Sequence, residues 1–254
     1  MSNPIFYASD MSNAVFTGSI AEDALYPLSN LNTNLPSLIW RSDGGYNDQT
    51  LIVDMGSIKG CDFLALGAYN WSGMTTVKLQ VGTTDDGAFD SPVDLFTSIP
   101  GAPAAPVVFT FGYTTRRYWR ILFSDTNDLI PECGLLLLGA KMQMPFNYNM
   151  DAETGNKKFA TTAKESLSGI LRTSRQTAGR KRMEITFTLI DNSTVINWLR
   201  VMDAIQGRLN PFFFKDADDT LDIWHSEDDY VPAKGVRANV NDLARIKMCK
   251  QTTG

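Results

Sequence analysis

A chain of 254 residues with a formal net charge of −5 has room for two ordinary domains, and its charge argues against a nucleic-acid-binding protein. Apolar residues make up 43% of the chain and charged residues 20%, a balance typical of globular proteins rather than disordered ones. The 3 cysteines contain no CxxC pair, which excludes zinc-ribbon and thioredoxin-like motifs.

Targeting and membrane signals are not visible. The first residues, MSNPIFYASDMSN, lack the basic and apolar parts of a signal peptide. No stretch approaches the about 18 apolar residues of a membrane helix. The cysteines, Cys61, Cys133 and Cys249, are far apart in sequence, which indicates buried, reduced thiols. We therefore expect synthesis in the cytosol and no membrane span.

Candidate catalytic residues are few in this sequence. The single histidine, His225, excludes a site that needs two imidazoles, and no nucleophile elbow surrounds it. Asp228 and Asp229 are adjacent, so on a strand they would lie on opposite faces and could not flank one glycosidic bond. Without a nucleophile, base or metal constellation, the sequence predicts a protein that is not an enzyme and has no cofactor.

The first half of the chain has the pattern of an all-β domain. Residues 1–20 are predicted as an N-terminal arm that packs on a neighbour or forms an edge strand. An irregular segment rich in Pro and Asn follows, and then short apolar segments divided by turn residues predict a sandwich or jelly roll over 21–145. Trp40 and Trp119 lie in or beside apolar strands and are predicted core residues. We expect residues of about 20–145 to fold alone.

These segments carry a family resemblance. The order YPLSNL, IWRS, LIVDMG, CDFLALGAYN, RRYWRILFSD and GLLLLGA resembles the discoidin-like, galactose-binding β-sandwich, above all the versions in tail proteins of long-tailed bacteriophages. The resemblance covers about residues 20–145 and implies sugar binding by loops at one end, in some members beside a structural calcium.

The resemblance implies glycan contacts on loop aromatics and amides, because an aromatic face stacks on the apolar face of a sugar. The residues implied are Tyr46, Tyr69, Asn70 and Trp71. The alternative is that Tyr69 and Trp71 pack into the domain or against a neighbouring subunit. Asp85, Asp86 and Asp90 offer oxygens to a hard cation, but such a turn is more often only a solvated loop, and no metal site is predicted.

The second half, residues 146–254, is predicted as a β domain with one helix at 194–206. Met183 to Leu189 alternate between apolar and polar residues, as in a half-buried strand. The helix has an apolar stripe predicted to face the sheet, formed by Val195, Trp198, Leu199, Met202 and Ile205. This order of elements resembles the tail-tube-like β-sandwich or barrel with one flanking helix of phage tail-tube and distal-tail proteins, in which a charged loop reaches the next subunit of a ring.

Two blocks of opposite charge lie in this second half. We predict contacts between copies of the chain at the basic residues Arg172, Arg175, Arg180, Lys181 and Arg182 and at the acidic residues Asp218, Asp219 and Asp222. Separate blocks of opposite sign suit head-to-tail packing of identical subunits. The alternative is two solvated loops.

Together these patterns predict a mainly β structural component of a phage tail tip, a distal or minor tail protein that forms a trimeric or hexameric ring at the end of the tail tube. Its expected partners are further copies of itself, the tube, tape-measure and hub proteins, and a host-surface glycan. Nucleic acid is expected only as DNA passing through the ring. The expected location is the virion tail, with assembly in the host cytoplasm. The alternative is a stand-alone carbohydrate-binding module or lectin.

Overall fold

The structure, a computed structural model, is mainly β, as the sequence predicts. It describes residues 3–11, 13–18, 23–33, 35, 37–44, 49–82, 89–97, 106–124, 129–145, 153–158, 161–165, 171–175, 180–188, 192–205, 210–215, 221–226 and 243–251. Within these residues there are two larger sheets of 7 strands each, a two-stranded hairpin and one α-helix. No described helix has the length and apolar content needed to cross a membrane.

The strands of the first half are β1 (Ile5–Tyr7), β2 (Val15–Gly18), β3 (Trp40–Arg41), β4 (Gln49–Tyr69), β5 (Thr76–Val81), β6 (Val93–Thr97), β7 (Val107–Ser124), β8 (Glu132–Gly139) and β9 (Met142–Gln143). Those of the second half are β10 (Glu153–Lys158), β11 (Thr161–Glu165), β12 (Leu171–Arg175), β13 (Arg180–Thr188), β14 (Pro211–Lys215), β15 (Leu221–Ser226) and β16 (Leu243–Gln251), with helix α1 (Asn192–Ile205) between β13 and β14. Short 3-10 helices span Leu28–Thr33 and Trp71–Gly73.

Two long strands build both layers of the sandwich. β4 and β7 pair along most of their length, and register shifts between Asp54 and Lys59 and between Cys61 and Phe63 mark where the pair bends. Gly56 lies in this bend with φ +74, a conformation that glycine adopts without steric cost. Before the bend β4 lies beside β2, and after it β4 lies beside β8.

The sandwich closes around a large aromatic and aliphatic core. Trp40, Trp71 and Trp119 are each 0% exposed within it, and so the prediction that Trp40 and Trp119 are core residues is confirmed. The inward positions of β8 are Leu136 and Leu138, which join the same core. Their neighbours along the strand face the other way, because side chains alternate across a strand.

The second sheet contains the first strand of the chain, β1. Its strand order is β10-β13-β16-β15-β14-β1-β9, so β1 lies inside the sheet of its own chain, between β14 and β9. Phe6 in β1 is paired with Phe214 in the adjacent strand β14 and is fully buried. The sandwich, from β2 to β8, is therefore an insertion between two neighbouring strands of the second sheet.

Helix α1 covers one face of the second sheet. Trp198, Val201 and Ile205 are buried there with Phe6 and Phe212, while Leu199 and Met202 are only partly buried at the margin. The sequence pattern missed Val201, and Val195 has no described side-chain environment. The predicted stripe therefore does face the sheet at Trp198, Leu199, Met202 and Ile205, and Val201 widens it.

The other face of the second sheet packs directly on the sandwich. This inter-sheet core consists of Tyr7, Phe63, Ala65, Leu135, Leu137 and Phe213. Gly67 permits the close approach, since a Cβ there would lie 2.8 Å from Cδ1 of Ile223. β8 and β14 are consequently buried on both faces, which explains their unbroken apolar sequences, Leu135 to Leu138 and Phe212 to Phe214.

Candidate functional site

Several segments converge at one end of the sandwich, called here the loop end. It comprises the described residues 23–26, 40–44, 69–75 and 129–133. Tyr69 and Trp40 both pair with Cys133, one from each side of β8. The backbone N–H groups of Arg41 and Ser42 donate to the carbonyl groups of Tyr26 and Pro131. These bonds tie the separate segments into one surface.

Asn70 is a structural residue of the loop end. Its side-chain amide donates to the carbonyl of Ile130 at 2.8 Å, and its side-chain carbonyl accepts the N–H of Glu132 at 2.9 Å. The backbone N–H of Asn70 also donates to the carbonyl of Glu132. Asn70 therefore holds the loop before β8 in place. Both the NH2 group and the oxygen of its side-chain amide, predicted to contact a glycan, are used in these bonds.

The predicted sugar-stacking residues Tyr69 and Trp71 are buried instead. Trp71 is 0% exposed and lies edge-on to Phe123 with ring centroids 4.8 Å apart, and Tyr69 is 3% exposed. Neither ring offers a face to a ligand, so the alternative that both pack into the domain is the correct one. Tyr46 lies outside the described residues.

Buried polar atoms at the loop end lack partners. Within the described residues, the buried side-chain N and O atoms without a hydrogen-bond partner are Trp40 Nε1, Arg41 Nε, Tyr69 Oη and Trp71 Nε1. Burial also raises the pKa of the Tyr69 hydroxyl, because its ionised form would be poorly solvated there. Such donors are normally satisfied by water or by a ligand group, so their concentration marks a polar site.

The surface above these atoms combines charge, an aromatic ring and exposed apolar groups. Arg41 Nη2 lies 2.7 Å from Glu132 Oε1, and the Arg41 guanidinium lies 4.5 Å from the ring centroid of Tyr26. Leu25 is 80% exposed and Ile130 39%. The sequence analysis missed Arg41 and Glu132 because they sit beside the core residues Trp40 and Cys133, and only the alternation of the strands sets them outside.

The predicted basic contact residues lie on strands rather than on one long loop. Arg172 and Arg175 belong to β12, which pairs with β11 in a separate hairpin, and residues 180–182 begin β13. Like charges stand opposite each other in the register: Lys164 with Arg172, Lys158 with Arg180, and Lys181 with Lys250. The strands therefore bring basic residues to opposite positions of the register.

Of the three predicted acidic contact residues, the structure describes Asp222. Asp222 lies in β15 opposite Phe214, whereas Asp218 and Asp219 lie outside the described residues. The contact between copies therefore stays a prediction.

Metal binding was not predicted, and the described residues offer no cluster for it. No group of three or more His, Cys, Asp and Glu residues is arranged to hold a metal ion there. Asp85 and Asp86 lie outside the described residues, and Asp90 is exposed. His225 pairs with Pro211 and Cys249 within the second sheet.

No family model matches this sequence, and no curated protein matches it. Among solved structures, chitosan-binding module 1 of a chitosanase/glucanase from Paenibacillus sp. IK-5 is similar at 20% identity and a TM-score of 0.44, covering 51% of this chain and 97% of that chain. The family 32 CBM of C. perfringens NanJ, in complex with galactose, is similar at 12% identity and a TM-score of 0.44, covering 54% and 99%. The CBM32 of AlyQ, in complex with 4,5-unsaturated mannuronic acid, is similar at 23% identity and a TM-score of 0.39, covering 52% and 96%. At such TM-scores these likenesses carry no argument about function.

Proposed function

We propose that this protein is a non-catalytic binding protein whose sandwich holds a glycan at the loop end. The observation that carries the proposal is the set of unpartnered buried polar atoms on Trp40, Arg41, Tyr69 and Trp71, which belong to the same loop end as the Arg41–Glu132 pair. A glycan supplies many hydroxyl groups that both donate and accept. A guanidinium and a carboxylate side by side can bind two neighbouring hydroxyls, one as donor and one as acceptor.

The test is a glycan array followed by calorimetry on the full chain. Arg41→Met and Glu132→Gln should each weaken binding of the best glycan by about tenfold or more, since a hydrogen bond to a charged group contributes about 1.5–3 kcal/mol. The matched control is the Lys78–Asp94 ion pair on the outer sheet face, which has a similar length of 2.8 Å. Lys78→Met should leave glycan affinity unchanged. No bound glycan, or equal losses in the control, would overturn the proposal.

A second proposal concerns where such a module works. We infer that the chain is a structural subunit of a phage tail tip, assembled with further copies through the basic strands. The support is the series of basic residues on β10 to β13 and β16, which suits an anionic partner, together with the resemblance of the sequence motifs. Asp218, Asp219 and Asp222 of a second copy offer the opposite charge.

Assembly is tested by mass measurement across salt concentrations. Reversing Arg175, Arg180 and Arg182 to Glu should prevent assembly while the melting temperature changes little. Combining this variant with Asp218→Lys, Asp219→Lys and Asp222→Lys should restore part of the assembly, because the charges of both contact surfaces are then reversed. A wild-type chain that stays monomeric at high concentration, or a triple variant that assembles normally, would refute this role and leave glycan binding untouched.

A further inference from the structure

The first part of β7 forms an open strand edge of the sandwich. Val107, Val108, Phe109 and Thr110 pair with β4 on one side without interruption. On its other side β7 pairs with β5, but only over residues 119–124. Among the strands that the structure describes, none lies beside residues 107–110 on that side. The backbone N–H and C=O groups of such an edge can bond a further strand.

This edge lacks the protections that natural strand edges carry, which are short length, charge and proline. At the two ends of the strand order of the sandwich, β3 has only 2 residues and β6 contains Asp94. Residues 107–115, by contrast, contain neither a charged side chain nor a proline. The register shift between β7 and β4 comes after Thr110, so the stretch before it stays regular.

The open edge coincides with an incompletely covered side of the sandwich core. Val107, Phe109 and Phe111 pack against this core but are only partly buried. Phe109 also stacks on Phe96, with ring centroids 4.8 Å apart and an interplanar angle of 19°. Phe96 belongs to β6, so the edges of two strands meet here. Apolar surface is left on this side, and its burial against another chain is favourable.

The sequence of the edge, VVFTF over residues 107–111, is complementary to itself. Two copies placed antiparallel about Phe109 set Phe109 opposite Phe109, Val107 opposite Phe111 and Val108 opposite Thr110. Because side chains alternate across a strand, the core-facing residues then stand opposite each other. Aromatic pairs and pairs of an aromatic with a β-branched residue are favourable cross-strand neighbours, and no like charges meet.

We propose that residues 107–111 form an interface between two copies of this chain. The two β7 strands pair antiparallel about a two-fold axis at Phe109, and the sheet of the sandwich continues from one copy into the other. Such an isologous contact closes with two copies. It depends neither on glycan binding nor on the charged residues of the second half.

The mass of the full chain is measured in a parent variant with Arg175, Arg180 and Arg182 changed to Glu, which removes the contact proposed for the basic strands. This parent should form dimers and nothing larger. Adding Phe109→Lys or Phe109→Glu should weaken the dimer about tenfold or more, because like charges then stand opposite at the axis. Mixing the two charged variants should restore dimers, since Lys then stands opposite Glu.

Phe109→Leu is the matched control, since it also removes the stack on Phe96 but keeps an apolar residue at the axis. This variant should still form dimers. A parent that stays monomeric at every concentration would overturn the proposal, and so would charged variants that form dimers as tightly as the parent does.

Engineered cysteines test the register without changing Phe109. Val108→Cys chains mixed with Thr110→Cys chains should form a disulfide-linked dimer in air, because directly opposite Cβ atoms lie roughly 4.5–5.5 Å apart. Thr110→Cys chains alone should link poorly, since their cysteines are diagonal neighbours roughly 7–8 Å apart. Val108→Cys mixed with Thr115→Cys, an exposed position of the same strand, should give no link. Equal yields in all mixtures would indicate random collision and overturn the pairing.

Discussion

At the scale of single residues, Asp54 and Arg117 fasten the bend that shapes the sandwich. Arg117 donates from Nε to Oδ1 of Asp54 at 2.7 Å and from Nη2 to Oδ2 at 2.8 Å, while Oδ1 also accepts the N–H of Gly56 at 2.8 Å. In the sequence, Asp54 lies in LIVDMG, one of the segments of the predicted sandwich. The sequence did not predict this pairing, because Arg117 lies on another strand and pairs of this kind depend on register.

The hydrogen bonds from Arg117 hold the pKa of the Asp54 carboxyl below its usual value of 3.8. A carboxyl whose pKa is lowered by folding contributes stability above its unfolded pKa and loses that contribution as the pH falls through the folded pKa. Asp54→Asn should therefore lower the stability at pH 7, and the deficit should shrink below about pH 4. Urea melts at a series of pH values measure this. Asp90→Asn, at an exposed carboxylate, should show no such deficit.

At the scale of elements, the sequence predicts where helix α1 lies better than it predicts which of its residues are buried. The predicted helix at 194–206 appears as Asn192–Ile205. Of the predicted stripe, Trp198 and Ile205 are buried and Leu199 and Met202 pack against the same core, whereas the burial of Val201 was not predicted. Apolar residues occur around most of the helix, including Ile196, which is 66% exposed, so periodicity alone leaves the edge of the stripe open. Trp198 meets Phe6 edge-on, with ring centroids 5.4 Å apart.

Two isoleucines of the same helix test that assignment. Ile205 is 0% exposed against the second sheet, so Ile205→Ala should cost about 2–5 kcal/mol of unfolding free energy, through lost burial and a residual cavity. Ile196→Ala makes the same chemical change at an exposed position and should cost within about 0.5 kcal/mol. Denaturant melts of the two variants give the comparison. Equal costs would mean that α1 presents a different face to the sheet.

At the scale of the whole molecule, the two β units share the inter-sheet core as a common interior, beside a core of their own in each. The sequence separates them by composition, but it does not reveal that β1 joins the second sheet. That strand has only 3 residues, and its partners β9 and β14 lie far along the chain. Short strands with distant partners leave no local pattern, whereas the apolar runs of β8 and β14 record burial on both faces.

This shared interior changes the expectation for an isolated sandwich. A fragment of residues 11–145 keeps β2 and its buried Phe16 in the sandwich. It should expose the outward residues Phe63, Leu135 and Leu137 and bind an apolar dye, because their partners in the inter-sheet core, such as Phe213, are absent. Leu135→Lys with Leu137→Lys should make the fragment soluble and cooperatively folded. The same pair of changes should destabilise the full chain, in which both leucines are buried.

The neighbouring leucines of the same strand provide the matched control. Leu136→Lys with Leu138→Lys puts two charges into the core of the sandwich itself and should unfold the fragment and the full chain alike. Thermal melts and dye binding on the four proteins separate the outcomes. If both lysine pairs behave identically in the fragment, β8 does not divide its side chains between two cores. A dye-free, cooperative wild-type fragment would show instead that the inter-sheet core contributes little to the stability of the sandwich.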